Sequence, residues 1–303
     1  MKLAKNHIAI LFSIFSVINL AIFFCRDKFV YHKYATASSL YSSDTGKWEK
    51  FVQDYDKQEL AEAKSILDSL KIGEASTPLK ILAIGRMLYQ HFHKQAGQPS
   101  AQLLTASPLN EYKILCSSDT IKLWCGNFAS MMAFFCWAEA VPCRVIEILN
   151  PGDHHVLNEC YLPETKKWVM TDVTNNNLLL LSKKKESYID LLTLRDSINI
   201  PLVTLQAADG SIVAHAFDGG FYHKYFGDKN PINFYYRVDN AQVYKTSEKI
   251  KRYLLPCAWY EEITPTTKGN SLFYIKLLFI LLWLISFILL LKQFMSSKSR
   301  STL

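Results

Sequence analysis

WCGNFASMMAFFCWAEAVPCRVIEIL (124–149), DHHVLNECYL (153–162) and KKWVMTD (166–172) are the three stretches on which the reading of this chain turns. The first places Cys125 near the head of an apolar run that stops before Pro142, which predicts a helix from about Thr120 to Ala140. The CSSD segment 116–119 offers residues able to cap it. Short apolar runs at Arg144–Leu149, His155–Tyr161 and Trp168–Asp172 read as strands, separated by Asn150-Pro151-Gly152 and by Pro163–Lys167. Side chains alternate along a strand, so His155, Leu157, Glu159 and Tyr161 share one face, as do Trp168, Met170 and Asp172. Pairing of the last two strands through the 163–167 turn brings Asp172 beside His155.

Outward from this centre, KQELAEAKSILDSLK (57–71) has helical spacing and ends before Gly73. Ser76-Thr77-Pro78 opens a second helix over Leu79–His93, with proline in its first turn. Residues 97–108 read as a loop and Ser187–Ser197 as a helix, while 201–260 mixes candidate strands with the aromatic stretch FDGGFYHKYFGDKNPINFYY (217–236). Helices followed by a meander of strands predict an α+β fold. No internal repeat and no low-complexity tract interrupts the chain.

Half of the 303 residues are hydrophobic, and two segments account for much of the excess. Ile8–Cys25 carries no charge over 18 residues, and Leu272–Leu291 carries only Lys276 over 20. A helix of roughly 20 apolar residues crosses a bilayer, and Lys276 lies near enough to an end to snorkel. Cleavage of the first segment as a signal peptide finds no suitable site: Ala35-Thr36-Ala37 follows only after Arg26, Asp27, Lys28, His32 and Lys33. The expected organisation is an N-terminal anchor (1–25), a juxtamembrane linker (26–55), a catalytic domain (56–200), an accessory lobe (201–271), a second transmembrane helix (272–291) and a basic tail (292–303). Lys2 and Lys5 at one end, with Lys292, Lys298 and Arg300 at the other, favour cytoplasmic termini and an extracytoplasmic middle, periplasmic in a Gram-negative cell. The net charge of +7 is explained by those flanks and implies no nucleic-acid partner.

The chemistry follows from residue types. A thiol attacks as thiolate, and a free cysteine is only slightly ionised at neutral pH. A helix starting just before Cys125 points unpaired N–H groups and the positive end of its dipole at the sulfur. A strand histidine supplies a base and stabilises the ion pair as imidazolium. The same N–H groups receive an oxyanion, an aspartate fixes the histidine tautomer, and Trp124 supplies an apolar wall to the substrate. Asp153 or His154 has the spacing to replace Asp172, but both are expected in the turn after Gly152.

The stretch from about Pro78 to Asp172 resembles the transglutaminase-like superfamily, a papain-related cysteine fold. Four motifs carry the resemblance: Cys125-Gly126-Asn127-Phe128-Ala129, Ala140-Val141-Pro142-Cys143-Arg144-Val145, His155-Val156-Leu157-Asn158-Glu159-Cys160-Tyr161 and Trp168-Val169-Met170-Thr171-Asp172. Leu123 replaces a usual glycine and Leu157 a usual tryptophan. The resemblance implies Cys125 as nucleophile, His155 as base and Asp172 as orienting acid, with a nucleophile-bearing helix packed on an antiparallel sheet. It aligns Glu159 with a common family position, here read as structural.

Bland readings stand beside this one. Cysteines in apolar helices and strands are usually small buried hydrophobes, and Cys136, Cys143 and Cys160 are read so. In an oxidising compartment two of the seven cysteines would pair, in a combination the sequence leaves open. None sits in a C-x-x-C pair, which argues against a zinc ribbon or a thioredoxin-type motif. A metal site from His154, His155 and Cys160 is opposed by the opposite directions of adjacent strand residues. His215, His223 and the aromatic stretch read as packing, and Lys183-Lys184-Lys185 as a solvated turn. The expectation is a membrane-anchored enzyme without cofactor or metal. It forms a thioester from an amide bond of a peptide or protein, with a cell-envelope component as the substrate guess, and hydrolyses it or passes it to an amine. The alternative is a tethered interaction module that keeps the fold without the chemistry.

Overall fold

The structure, a computed structural model of the chain, describes residues 2–25, 28–48, 56–150, 152–183, 187–197, 201–209, 211–226, 233–237, 260–263 and 269–299. The chain divides into two compact units, one of residues 1–32, 253–257 and 267–303, the other of 33–252 and 258–266.

The first unit contains two long helices, α1 (Lys2–Phe24) and the last helix of the chain (Ser271–Ser299). Both are long and apolar enough to cross a membrane, over Asn6–Phe24 and Ser271–Ser296. They are joined by polar contacts suited to an apolar medium, where few alternative partners exist. Trp283 Nε1 donates to Ser16 Oγ at 2.9 Å, and Asn19 Nδ2 to the Phe279 carbonyl at 3.2 Å. Where the two chain segments leave these helices, Asn270 accepts from the His32 N–H at 2.8 Å and donates to its carbonyl at 3.2 Å.

The second unit is α+β with antiparallel sheets. Its helical part is α2 (Ala37–Leu40), α3 (Lys57–Asp68), α4 (Thr77–Phe92), α5 (Ala101–Leu104), α6 (Pro108–Ser117) and α7 (Cys125–Ala138). There follow β1 (Cys143–Asn150), β2 (Asp153–Leu162), β3 (Lys167–Thr171), β4 (Leu179–Ser182), β5 (Ser187–Tyr188), α8 (Leu191–Ser197), β6 (Leu202–Ala208), β7 (Ser211–Ala216), α9 (Gly220–Phe226), β8 (Asn233–Arg237) and β9 (Tyr260–Ile263). One sheet has the order β3-β2-β1-β8-β9 and the other β5-β4-β6-β7, with every pairing antiparallel.

Alternation along β1 and β2 sends side chains into two cores. Val145, Val156 and Cys160 pack with the helices, notably Met131, Met132, Phe134 and Phe135 of α7. Ile146, Ile148, Leu157 and Tyr161 pack on the other face with Leu40, Trp48, Leu191, Tyr222 and Tyr236. A sheet covered on both faces explains why β2 is buried from His155 to Leu162, polar Asn158 and Glu159 included. Each large side chain buried this way contributes on the order of 2 kcal/mol.

Several expectations are corrected. The helix expected from Thr120 starts only at Cys125, because 118–124 is held away from helical geometry by Leu123, which donates to the Gln95 carbonyl at 3.0 Å. Cys116 and Ser117 therefore end α6 rather than cap α7. Residues 97–108, read as loop, hold α5, whose N-cap Ser100 accepts from the Leu103 N–H at 3.2 Å. The segment read as a linker carries Leu40 and Trp48, both fully buried in the second core. The described parts of 201–271 are not a separate lobe, since β6 pairs with β4 and β8 with β1. Asp153 and His154 belong to β2 rather than to a turn. Lys184, Lys185, Arg300 and Cys257 lie outside the described residues.

Candidate active site

Cys125 is the first residue of α7, so it and Gly126 lie in the turn whose N–H groups lack intrahelical acceptors. The helix start is fixed by side chains. Asn127 Oδ1 accepts from the Trp124 N–H at 3.0 Å, and Asn127 Nδ2 donates to buried Glu111 Oε1 at 3.1 Å. Trp124, the N-cap residue, is 45% exposed, while Cys125 is half-buried.

His155 comes from β2 and Asp172 from the end of β3, two strands in register with Asn158 opposite Thr171. The turn Pro163–Lys166 between them is short, so the register places Asp172 near His155 by local geometry alone. His155 Nε2 and Asp172 Oδ2 are 2.7 Å apart, and both residues are buried. Burial pushes the His155 pKa down, but the Asp172 charge and hydrogen bond, and then interactions with the Cys125 thiol, raise it to about 10. Burial pushes Asp172 up, yet His155 and hydrogen bonds from His155, Tyr222 and Asn175 hold it below the usual carboxylate range. The pair is therefore carboxylate and imidazolium at neutral pH.

The Asp172 carboxylate is surrounded by donors. Tyr222 Oη donates to Oδ2 at 2.5 Å, Asn175 Nδ2 to the same oxygen at 2.8 Å, and the Asn175 N–H to Oδ1 at 3.3 Å. The turn that carries it closes through reciprocal backbone bonds between Asp172 and Asn177 at 2.7 and 2.8 Å. Asn176 takes φ +56°, a conformation asparagine tolerates. Its side chain is pinned to β6 by bonds to the Ala207 carbonyl (3.0 Å) and N–H (2.8 Å). Asp172 thus caps its own loop and meets His155 at once.

The aromatic residues of α9, expected to be packing alone, also reach the buried pair. Phe221 meets the His155 ring edge-on at 4.9 Å between centroids, and Tyr225 lies at 6.3 Å. Tyr225 also donates to Asp153 Oδ1 at 3.0 Å, and Lys224 pairs with that carboxylate at 2.5 Å. Asp153 is thereby engaged with α9 rather than with His155. His154 is half exposed and faces Glu147 at 3.4 Å. Cys160, the third member of the metal set weighed above, points to Cys136 and Cys143 at 3.9 and 3.4 Å. No pattern in 217–236 marks Tyr222; only the topology brings it to Asp172.

Glu159 has no contact with the pair. It forms a fully buried ion pair with Arg144, whose Nε and Nη2 lie 2.9 and 2.5 Å from Oε2, while Tyr41 Oη and the Leu191 N–H donate to Oε1 at 2.8 and 2.6 Å. The guanidinium is boxed by the rings of Tyr41, Trp48, Trp168 and Tyr236 at 4.0–4.8 Å.

No family model matches the chain, and no curated protein matches it. Among solved structures it is similar to a candidate cysteine protease from Cytophaga hutchinsonii, at 19% identity and a TM-score of 0.28, over 55% of this chain and 58% of that one. The chain thus spans somewhat over half the length of that neighbour, and a likeness at this level carries no inference about activity.

Proposed function

We propose that the protein is a membrane-anchored, cysteine-dependent enzyme that cleaves amide bonds through a thioester, with Cys125 as nucleophile, His155 as proton carrier and Asp172 as the residue that orients it. The observation that supports this reading most directly is the His155–Asp172 pair, buried and 2.7 Å apart, acting on a cysteine at the first position of a helix. Asp172 and Asn175 occupy Nε2 of the imidazole, which leaves Nδ1 for the thiol.

With His155 raised to about 10, the imidazolium has a proton to give, and the species that attacks is the thiolate. The thiolate attacks the carbonyl carbon, forming the C–S bond and an oxyanion that the N–H groups at the start of α7 accept. As the tetrahedral intermediate collapses the C–N bond breaks, and the amine leaves with the His155 proton. Neutral His155 then takes a proton from water, or from an acceptor amine, as it attacks the thioester, and the thiolate departs to restore the pair. Trp124 beside the sulfur and Phe221 beside the imidazole give the substrate an apolar rim. The substrate class is a peptide or protein amide, with an envelope component as the candidate. The two long apolar helices would hold the domain on the extracytoplasmic side, with both basic termini in the cytoplasm.

The test is the pH dependence of iodoacetamide labelling of the full-length chain in detergent. One site should label fast near pH 6, vanish in Cys125→Ser and slow in His155→Ala. Labelling of Cys125 only above about pH 8, as for a free thiol, would remove the enzyme reading and leave a tethered interaction module.

A further inference from the structure

Three cysteines read as inert core residues converge behind the catalytic helix. Cys136 lies on α7, Cys143 opens β1 and Cys160 lies near the end of β2; all three are fully buried, with their sulfurs within 4.8 Å of one another. Cys143 and Cys160 are direct cross-strand partners. The neighbouring pair Pro142 and Tyr161 is hydrogen-bonded, Tyr161 N–H to the Pro142 carbonyl at 2.8 Å. Alternation along an antiparallel ladder makes 143 and 160 a non-hydrogen-bonded pair, whose Cα atoms approach to about 4.5 Å. That distance lies within the range a disulfide spans, and the two sulfurs are 3.4 Å apart as thiols.

A metal is the rival occupant, since three thiolates around an ion would have sulfurs at similar separations. Charge decides against it. The groups that act most strongly on these thiols are one another, Thr171 and Glu139, with no cation among them. Three thiolates around a mono- or divalent ion would leave net negative charge in an apolar core, at a high desolvation cost. A disulfide is neutral, and so is the third thiol.

We propose that Cys143 and Cys160 are a disulfide site, closed during folding by exchange with a low-molecular-weight or protein disulfide. One ionised thiol attacks the donor disulfide, forming a mixed disulfide and releasing one donor thiolate. The second cysteine attacks the mixed disulfide, releasing the other. The two cysteines lose two protons and two electrons, and the donor leaves as two thiols. Closure precedes burial, because in the folded core all three sulfurs are fully buried, out of reach of a donor disulfide. The bond clasps the strand that bears His155 to its neighbour. Cys136, 3.9 Å from Cys160, stays reduced.

The full-length chain is synthesised cell-free into lipid nanodiscs with either oxidised or reduced glutathione, denatured, and alkylated with a mass-tagged maleimide. With reduced glutathione all seven cysteines should label; with oxidised glutathione Cys143 and Cys160 should drop out of the labelled set, and any glutathione adduct on Cys25, Cys116 or Cys125 is told apart by its mass. The unreduced chymotryptic digest, which cuts at Trp137 between Cys136 and Cys143, should join the peptides of Cys143 and Cys160. Seven labels under both conditions, a bond from Cys160 to Cys136 or elsewhere, or stoichiometric zinc or copper in the protein would overturn the proposal. None of these readouts depends on Cys125 being catalytic, so the Cys125→Ser chain should give the same linked peptide.

Discussion

Tyr222 on α9 donates its hydroxyl hydrogen to Asp172 Oδ2 at 2.5 Å, across 50 residues of sequence and with both side chains buried. The bond lowers the proton affinity of the carboxylate that holds His155, and it is charge-assisted, a class that contributes about 1.5–3 kcal/mol. Tyr222→Phe keeps the packing and deletes the donor. Iodoacetamide labelling of Cys125 at pH 7 should slow by roughly ten-fold or more, with circular dichroism unchanged. An unaltered rate would mean that Asn175 alone suffices to hold Asp172.

Stability should depend on pH through His155. Its folded pKa is raised from 6.5 to about 10, so its contribution is full below about 6.5 and is lost as pH rises toward 10. Asp172 is shifted the other way; its contribution holds above the ordinary carboxylate value and disappears as pH falls below it. Urea midpoints of the wild type should therefore decline between pH 7 and 10. In His155→Gln that decline should flatten, and a parallel decline in both proteins would assign it to other groups.

The Arg144–Glu159 pair is a test of the second core. Removing one partner leaves an uncompensated buried charge, so Arg144→Ala should cost about 3–5 kcal/mol. The loss includes the stacking of the guanidinium on Tyr41, Trp48, Trp168 and Tyr236. Chemical denaturation gives the value; a change under 1 kcal/mol would show that the core relaxes around the vacancy.

Gly85 lies inside α4 where a Cβ would meet Leu178 Cδ2 at 2.8 Å. Leu178 directly follows the turn that carries Asp172 and Asn175. Gly85→Ala should destabilise by roughly 1–3 kcal/mol through overpacking, despite the better helix propensity of alanine. The double change with Leu178→Val should recover part of that loss in the thermal midpoint.

What was legible in the sequence is mostly local. The three strands and their turns were readable because Pro163–Lys166 fixes the β2–β3 register within a few residues, and that register alone sets His155 against Asp172. α7 starts later than apolar spacing predicts, because that spacing continues backward through Leu123, while a backbone bond from Leu123 to Gln95, in another part of the chain, stops the helix from extending there. Ser100 and the Ser107-Pro108 pair were visible caps for α5 and α6, obscured by the polar composition around them. Tyr41 and Trp48 around Arg144, and Tyr222 at Asp172, depend on contacts between distant segments. No periodicity within 26–55 or 217–236 records them.

The topology also bears on the order in which the His155–Asp172 pair acquires its supports. A ribosome that has released residues 1–200 has delivered Cys125, His155 and Asp172, but not β6, which pins Asn176, nor α9, which brings Tyr222, nor β8, which completes the middle of the sheet. These long-range closures are slow relative to local helices and turns. The Asp172 turn and the His155–Asp172 pair therefore gain their last supporting contacts only when the distal third of the second unit has docked.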